Sequence, residues 1–174
     1  MRPIRRRESE TDVFTGYLES RIGVLEIRAD RDDVLEIAFV RERGPVQTRL
    51  PECLSLAISQ LEEYFQGERR EFELPLGFRG TAFQVQVWEG LRRIPFAETI
   101  SFGDLAGSIG RPRAFRAVGQ ANNKNPLPIV VPCHRVVGGD GSLTGYGSGI
   151  WRKQWLLEHE QKVKNEDVTS PISV

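Results

Sequence analysis

Residues 81–123 read TAFQVQVWEGLRRIPFAETISFGDLAGSIGRPRAFRAVGQANN, and their pattern predicts three short helices. Thr81 followed by Gln84, and Ser101 followed by Asp104, are typical of capping boxes, in which a hydroxyl side chain begins a helix. The second and third helices are short and joined by a tight turn that contains glycine. This arrangement predicts a helix-turn-helix.

The third helix, which ends near Asn123, has two distinct faces. Small apolar residues share one face and can pack inward, whereas basic and amide side chains share the other. The inward set is Ala114, Ala117, Val118 and Ala121, and the outward set is Arg113, Arg116, Gln120 and Lys124. A basic face beside small side chains would let a helix approach DNA closely. Taken alone, the pattern favours the alternative, an ordinary solvated amphipathic helix.

The residues before this stretch predict a small strand-rich domain. FTGYLES, IGVLEIRAD and DVLEIAFV are short apolar runs separated by polar turns, which is typical of strands. A helix is predicted over residues 51–66, where apolar positions recur at helical spacing. Residues 75–80, rich in Pro and Gly, break the pattern. The predicted fold class is therefore α+β, with a support domain over 1–78, a helical domain over 79–162 and a flexible tail over 163–174.

The net charge is zero but is unevenly distributed. Residues 1–78 carry 12 Lys and Arg against 16 Asp and Glu, whereas residues 79–162 carry 11 against 6. A basic second half indicates a partner such as nucleic acid, although a charged surface often serves only solvation.

The chain contains two cysteines, Cys53 and Cys133, and two histidines. Their spacing matches neither a disulfide framework nor a zinc site, so we expect a reducing compartment and no metal or other cofactor. That compartment would be the cytoplasm, or the nucleus in a eukaryote. No run is apolar and long enough for a membrane span, and MRPIRRRESE lacks the apolar core of a secretory signal. These first residues predict a solvated tail or, alternatively, a basic arm on phosphates.

The most unusual stretch is NPLPIVVPCHRVVGGDGSLTGYGSG, residues 125–149. Its prolines favour extended backbone, and residues 129–131 are interpreted as a buried strand that leads to Cys133. A cysteine in that position is usually an inert core residue, which is how we interpret Cys53.

Three features make Cys133 a candidate nucleophile instead. His134 and Arg135 follow it and could favour the thiolate. The amide of Asn125 could hold the returning chain by hydrogen bonds. The glycine-rich segment leaves room for a flat ligand. A thiolate near a histidine supports acyl transfer, as in cysteine hydrolases, or alkyl transfer, and residue chemistry leaves both reactions open.

Six segments, in order, resemble the O6-alkylguanine-DNA alkyltransferase family, the methylated-DNA–protein-cysteine methyltransferases. They are FQVQVWEGLRRIP, ISFGDLA, RAVGQANNKNP, NPLPIV with PCHRVV, GSLTGYGSG and RKQWLLEHE. The resemblance covers residues 80–160, whereas residues 1–78 match only in layout. It implies an RNase H-like first domain and a winged-helix-like second domain that contains the helix-turn-helix.

The resemblance also implies roles for individual residues. Cys133 is the alkyl acceptor, His134 deprotonates it through a water, Glu160 orients His134, and Asn125 ties the active-site loop. Arg116 would replace the extruded base in the stack, and Tyr146 together with the backbone of Val136 and Gly147 would line the guanine pocket. The remaining implied DNA or substrate contacts are Phe102, Ser148, Ala114, Ala117, Gln120 and Ala121, on a helix that enters the minor groove.

Four positions depart from the family pattern. Phe102 stands where a tyrosine is usual, which removes a hydroxyl that helps at the guanine. Ala97 replaces a glycine in a turn. Ser148 replaces a glycine of the pocket loop, and Trp151 is bulkier than usual, which could alter the tolerance for large alkyl groups.

The implied function is DNA repair by direct reversal. The alkyl group of O6-alkylguanine, with O4-alkylthymine as a further candidate, would move irreversibly to Cys133, once per molecule. The partner would be double-stranded DNA, with self-association along it as an additional expectation, and no membrane. A module that only flags lesions and a cysteine hydrolase are the alternative classes.

Overall fold

The computed structural model describes residues 12–169, and the chain enters it through an antiparallel sheet. Strands β1 (Phe14–Ser20), β2 (Gly23–Ala29) and β3 (Val34–Val40) pair in the order β1-β2-β3. Helix α1 (Glu52–Phe65) packs on this sheet. Gly16 in β1 permits that contact, because a Cβ there would lie 2.6 Å from Ile58 Cδ1. The strands and the helix predicted from the sequence are confirmed.

The second half contains the predicted short helices. They are α2 (Ala82–Leu91), α3 (Phe102–Ser108) and α4 (Phe115–Asn123). Both predicted capping boxes are formed, at Thr81 for α2 and at Ser101 for α3. Gly110, with φ of 75°, lies in the turn between α3 and α4. The helix-turn-helix is therefore confirmed as a structural unit.

The predicted buried strand at residues 129–131 is wrong. These residues are buried, but they form a turn in which Ile129 has φ of 76°. The amide of Val131 donates to the Leu127 carbonyl (2.9 Å), and Pro128 and Val131 form only an isolated bridge. Prolines on both sides remove the amide donors that a strand ladder needs, so an apolar run folds back on itself.

The active-site segment follows that turn. A single 3-10 turn spans Cys133–Arg135 and leads into β5 (Val136–Val137), which pairs in parallel with β4 (Ile100–Ser101). Since α3 begins immediately after β4, this pairing ties the segment that carries Cys133 to the helix-turn-helix.

A long last helix, α5 (Ile150–Thr169), was not predicted from the sequence. Its buried residues are Lys153, Leu156, Glu160 and Val163. The flexible tail predicted from residue 163 is wrong for residues 163–169, which continue α5 and carry Asp167 in an ion pair with Arg70. Residues 170–174, and the basic arm or solvated tail predicted at residues 1–10, lie outside the described part of the chain.

The two halves are joined by buried contacts. The amide of Ile37 in β3 donates to the Pro126 carbonyl (2.8 Å), and Arg152 Nε donates to the Ile22 carbonyl (2.7 Å). One apolar cluster includes residues of the sheet, of α1 and of the helical half. Between residues 12 and 169, no helix is long and apolar enough to cross a membrane.

Candidate active site

Cys133 lies in the wall of a cavity of about 360 Å³ between the two halves. The cysteine is 5% exposed and begins the 3-10 turn. The cavity is lined by β3, by the end of α4, by the turn around Pro128 and by the glycine-rich loop. Its lining residues are Ile37, Ala38, Phe39, Asn122, Asn123, Asn125, Pro128, Cys133, Gly145, Tyr146, Gly147, Ser148 and Arg152.

Some of the cavity's polar atoms have no protein partner. Both polar atoms of the Asn122 side chain and the Tyr146 hydroxyl are buried without a hydrogen bond among residues 12–169. Because buried polar groups are normally paired, such atoms mark places where a polar ligand would be bound.

His134 and Glu160 form a buried pair next to the cysteine. His134 Nε2 lies 2.8 Å from Glu160 Oε1, and both side chains are fully buried. Burial lowers the pKa of His134, although Glu160 opposes this. Burial alone would raise the pKa of Glu160, but His134 and Arg135 outweigh it and hold that pKa well below its usual range. An ionised Glu160 accepts a hydrogen bond from the Nε2–H group, which leaves Nδ1 of the neutral ring as an acceptor.

The thiol of Cys133 is protonated at rest. Burial raises its pKa to about 11, while the Asn125 amide and the charge of Lys153 oppose this rise. The expectation that Arg135 favours the thiolate is wrong, because its guanidinium turns away to Glu160 and to the Ile94 carbonyl (2.7 Å). The cation that lowers the pKa of Cys133 is Lys153.

Asn125 holds the segment before Cys133. Its Nδ2 donates to the Val131 carbonyl (2.8 Å), and its Oδ1 accepts from the Leu127 amide (3.0 Å). The same side chain lowers the pKa of the Cys133 thiol. One amide therefore fixes the turn and makes the thiol of the candidate nucleophile easier to ionise.

Comparison with known proteins agrees with this architecture. Residues 13–78 match the family model "6-O-methylguanine DNA methyltransferase, ribonuclease-like domain", and residues 82–162 match "6-O-methylguanine DNA methyltransferase, DNA binding domain". The chain belongs to the 6-O-methylguanine DNA methyltransferase family. The family and the enzyme class inferred from the resemblance are thus confirmed, as is the ribonuclease-like character of the first half.

Individual members of the family are close to this chain. A constitutive methylated-DNA–protein-cysteine methyltransferase of Bacillus subtilis (strain 168) is 54% identical over 152 residues, which are 82% of this chain and 92% of the relative. The crystal structure of Mycobacterium tuberculosis O6-methylguanine methyltransferase aligns with a TM-score of 0.79 and 41% identity, over 93% of this chain and 97% of that one. A Mycobacterium tuberculosis structure in complex with DNA aligns with a TM-score of 0.77 and 44% identity, over 87% and 93% of the two chains.

The helix-turn-helix of this methyltransferase family member presents a partly different face from the one predicted. Arg113, Arg116 and Gln120 are exposed, and Val118 is buried, as expected. Ala117 is exposed, so its predicted inward packing is wrong. Ala114 is the residue that precedes the helix, and it is half-buried.

Ala121, which was assigned to DNA contact, is 3% exposed. Its carbonyl accepts from Trp88 Nε1 of α2 (2.9 Å), so its side chain faces the helical core. A direct contact of Ala121 with DNA is therefore wrong for this conformation. Among the alanines assigned to DNA, Ala117 is the one that an approaching duplex would meet on the helix surface.

The positions that depart from the family pattern are spread around the site. Ala97 has φ of 61°, a left-handed conformation that favours glycine, and its amide donates to Glu160 Oε2 (3.1 Å). The Ser148 carbonyl accepts from Arg152 Nη1 (2.6 Å). Trp151 is 55% exposed. Phe102 is the first residue of α3 and does not line the cavity with Cys133.

The resemblance implied that the backbone of Val136 contacts the guanine, but in this structure its carbonyl binds a protein side chain. Its carbonyl accepts from Lys153 Nζ, which also donates to the Thr144 carbonyl (2.9 Å). Lys153 is fully buried, and burial lowers its pKa. This lysine clamps the glycine-rich loop onto β5 while placing its charge near Cys133.

Three residues of the site were missed or misread in the sequence. Lys153 lies seven residues, or two helical turns, before Glu160, a spacing that places both on one face of α5 and could have identified the pair. No local pattern in the sequence indicates that the side chain of Arg135 points toward Glu160. The third residue, Tyr64, comes from α1 in the first half, and its hydroxyl donates to Glu160 Oε1 (2.8 Å).

Proposed function

We propose that this protein repairs DNA by moving the alkyl group of O6-alkylguanine irreversibly onto its own Cys133. The observation that carries the proposal is the position of Cys133, in the wall of a cavity beside the His134–Glu160 pair. Family membership supports DNA as the partner. The proposed roles of Cys133, His134, Glu160 and Asn125 are those that the sequence resemblance implied.

The damaged base must leave the duplex to reach this cysteine. A base inside the stack keeps its O6 substituent out of reach of a sulfur that is 5% exposed. We propose that α4 enters the minor groove, that Arg116 occupies the space of the extruded base, and that the base enters the cavity. The unpaired polar atoms of Asn122 and Tyr146 would then bind the polar edge of the base.

The transfer requires a thiolate, which the resting site does not hold. Entry of the guanine removes more water from a thiol whose pKa is already about 11. A side chain must therefore take the thiol proton in the reacting complex. The unprotonated Nδ1 of His134 is the acceptor, through a water, and Glu160 stabilises the imidazolium. Lys153 and Asn125 stabilise the negative sulfur.

The reaction then exchanges one bond for another. A bond forms between Cys133 Sγ and the alkyl carbon, and the bond between that carbon and O6 breaks. The electron pair of the broken bond stays on guanine, which takes up one proton from water as charge develops on it, and His134 returns to water the proton that it removed from Cys133. The product on the protein is a thioether, which has no activated carbonyl for water to attack. Each molecule therefore repairs one lesion.

The test uses a duplex that contains one O6-methylguanine. Intact mass and peptide mapping should show one added methyl on Cys133, and the reaction should stop after one equivalent. Cys133→Ser should bind the duplex without a mass gain. Cys53→Ser is the matched control, because Cys53 is the other buried cysteine and lies in the apolar cluster, so it should transfer normally.

Each other result assigns a different function. Binding without methylation of the wild-type protein supports a lesion-flagging module, and repeated turnover of an ester or amide supports a cysteine hydrolase. Full transfer by Cys133→Ser contradicts the assigned acceptor.

A duplex with O4-methylthymine tests the further substrate, and binding of several molecules per duplex tests self-association. A cytoplasmic or nuclear location agrees with the need for a reduced Cys133.

A further inference from the structure

A hydroxyl group from the first half of the chain reaches the carboxylate behind His134. Tyr64 lies near the end of α1, is fully buried, and donates to Glu160 Oε1 from 96 positions away in the chain. The oxygen that accepts this bond is the one that contacts His134 Nε2. Tyr64 and His134 therefore share one acceptor atom.

We propose that Tyr64 is a positioning residue of alkyl transfer, which sets the basicity and direction of the Glu160 carboxylate toward His134. The proposal rests on the function proposed above. It gives the strand-rich half a part in the chemistry, since the carboxylate's other partners, His134, Arg135 and Ala97, all belong to the helical half.

The hydroxyl acts on a carboxylate oxygen that accepts a hydrogen bond from His134 while the proton stays on the ring. Burial, together with the charge of Glu160, raises the pKa of Tyr64 well above its usual value, so Tyr64 stays a neutral donor. Its bond withdraws negative charge from Oε1 and makes that oxygen less basic. Without the bond, Oε1 would attract the Nε2 proton more strongly, and the ring would hold a second proton to higher pH.

Arg135 and Lys153 oppose that second proton. Both are cations that lower the pKa of His134, while Glu160 raises it. The other ionisable groups around the His134–Glu160 pair are Cys133 and Tyr64, and Tyr146 and His159 lie near Tyr64. Because the two cations are unchanged by substitution of Tyr64, the predicted change comes from Glu160 alone.

The ring of Tyr64 is held independently of its hydroxyl. Phe65, Phe72, Phe96 and His159 lie with ring centroids 5.3 to 6.3 Å from it. The Tyr64 carbonyl also accepts from His159 Nε2 (2.7 Å). Tyr64→Phe should therefore keep the ring in place and remove only the bond to Glu160.

The experiment compares Tyr64→Phe with Tyr17→Phe. Tyr17 is a matched control because its hydroxyl also donates to a carboxylate, Glu26 Oε2 (3.1 Å), but on the sheet and away from Cys133. Single-turnover methyl transfer is measured across pH, with affinity for undamaged duplex alongside. Tyr64→Phe should transfer roughly tenfold more slowly at neutral pH, the order expected for one lost hydrogen bond to a charged group. The acid limb of its rate profile should move to higher pH, with DNA affinity unchanged.

A second measurement does not depend on methyl transfer. The chain has two histidines, so NMR titration of the ring nitrogens can follow His134 separately from His159, and Tyr17→Phe, not His159, is the reference because His159 contacts Tyr64. The midpoint of His134 should be higher in Tyr64→Phe than in the wild type and unchanged in Tyr17→Phe. An unchanged His134 titration, or a rate profile lowered uniformly at every pH, overturns the positioning role. A wild-type protein that methylates no Cys133 overturns the proposed function instead, whatever the titration gives.

Discussion

Ala97 has a backbone conformation that is unfavourable for a residue with a Cβ atom. Its φ of 61° is left-handed, and its amide and carbonyl are both engaged, by Glu160 Oε2 and by Gln161 Nε2. A left-handed conformation costs an L-residue about 1 to 2 kcal/mol relative to glycine, partly offset by the greater freedom of glycine in the unfolded chain. In this conformation the turn presents an amide to the Glu160 carboxylate.

Ala97→Gly should therefore raise the free energy of unfolding by about 0.5 to 1 kcal/mol, because the strain is removed. The matched control is Ala117→Gly, at an exposed position inside α4, which should lower it by about 1 kcal/mol. Denaturant unfolding with an unchanged m-value measures both. A loss of stability in Ala97→Gly would mean that the methyl group of this 7% exposed residue contributes more by packing than its backbone costs.

At the scale of elements, the sequence predicted those whose signal is local. In strands β1 to β3, apolar residues alternate with polar ones or form short apolar runs between turns, and α2 and α3 begin with capping boxes. Helix α5 was missed because its buried face contains Lys153 and Glu160, which interrupt the apolar repeat that marks a packed helix. Residues 129–131 were read as a strand because a short buried run has no period that separates strand from turn.

Helix α4 offers a prediction at the same scale. Ala117 is exposed between the basic side chains of Arg113 and Arg116 and the amide of Gln120, so its small size would allow the helix to lie close to a duplex. Ala117→Phe adds bulk there without changing charge. It should weaken binding to duplex DNA about tenfold, which is the order of the loss in binding free energy when one contact with the duplex is disrupted.

The control for that variant is Ser59→Phe, which adds the same ring at an exposed position of α1. Titration of a labelled duplex measures both affinities, and thermal unfolding checks that neither variant is destabilised. Equal affinity of Ala117→Phe and the wild type would place the DNA-binding surface elsewhere on the molecule.

At the scale of the whole molecule, the site depends on contacts that no local pattern contains. Tyr64 reaches Glu160 across 96 positions and Arg152 reaches the Ile22 carbonyl across 130. Periodicity and local motifs describe one stretch of sequence at a time, so they indicated the helix-turn-helix and the setting of Cys133 but not these partners. The family resemblance supplied Glu160 because its motif includes that residue, whereas the partners of Glu160 required coordinates.

These ties also predict how the molecule unfolds. The apolar cluster is continuous through both halves, and the hydrogen bonds that join the halves are buried or half-buried, so opening either half exposes the other. We expect one cooperative transition, although two family models divide the chain. The three tryptophans, Trp88, Trp151 and Trp155, all belong to the second half; Trp155 also packs against Phe65 of α1, so Trp88 and Trp151 are the probes of the second half alone. Their fluorescence should give the same free energy of unfolding as hydrogen exchange of the slowest amides in β1 to β3. A lower value for the sheet would mean that the strand-rich half opens alone, in which case Tyr64 would leave Glu160 in a measurable fraction of folded molecules.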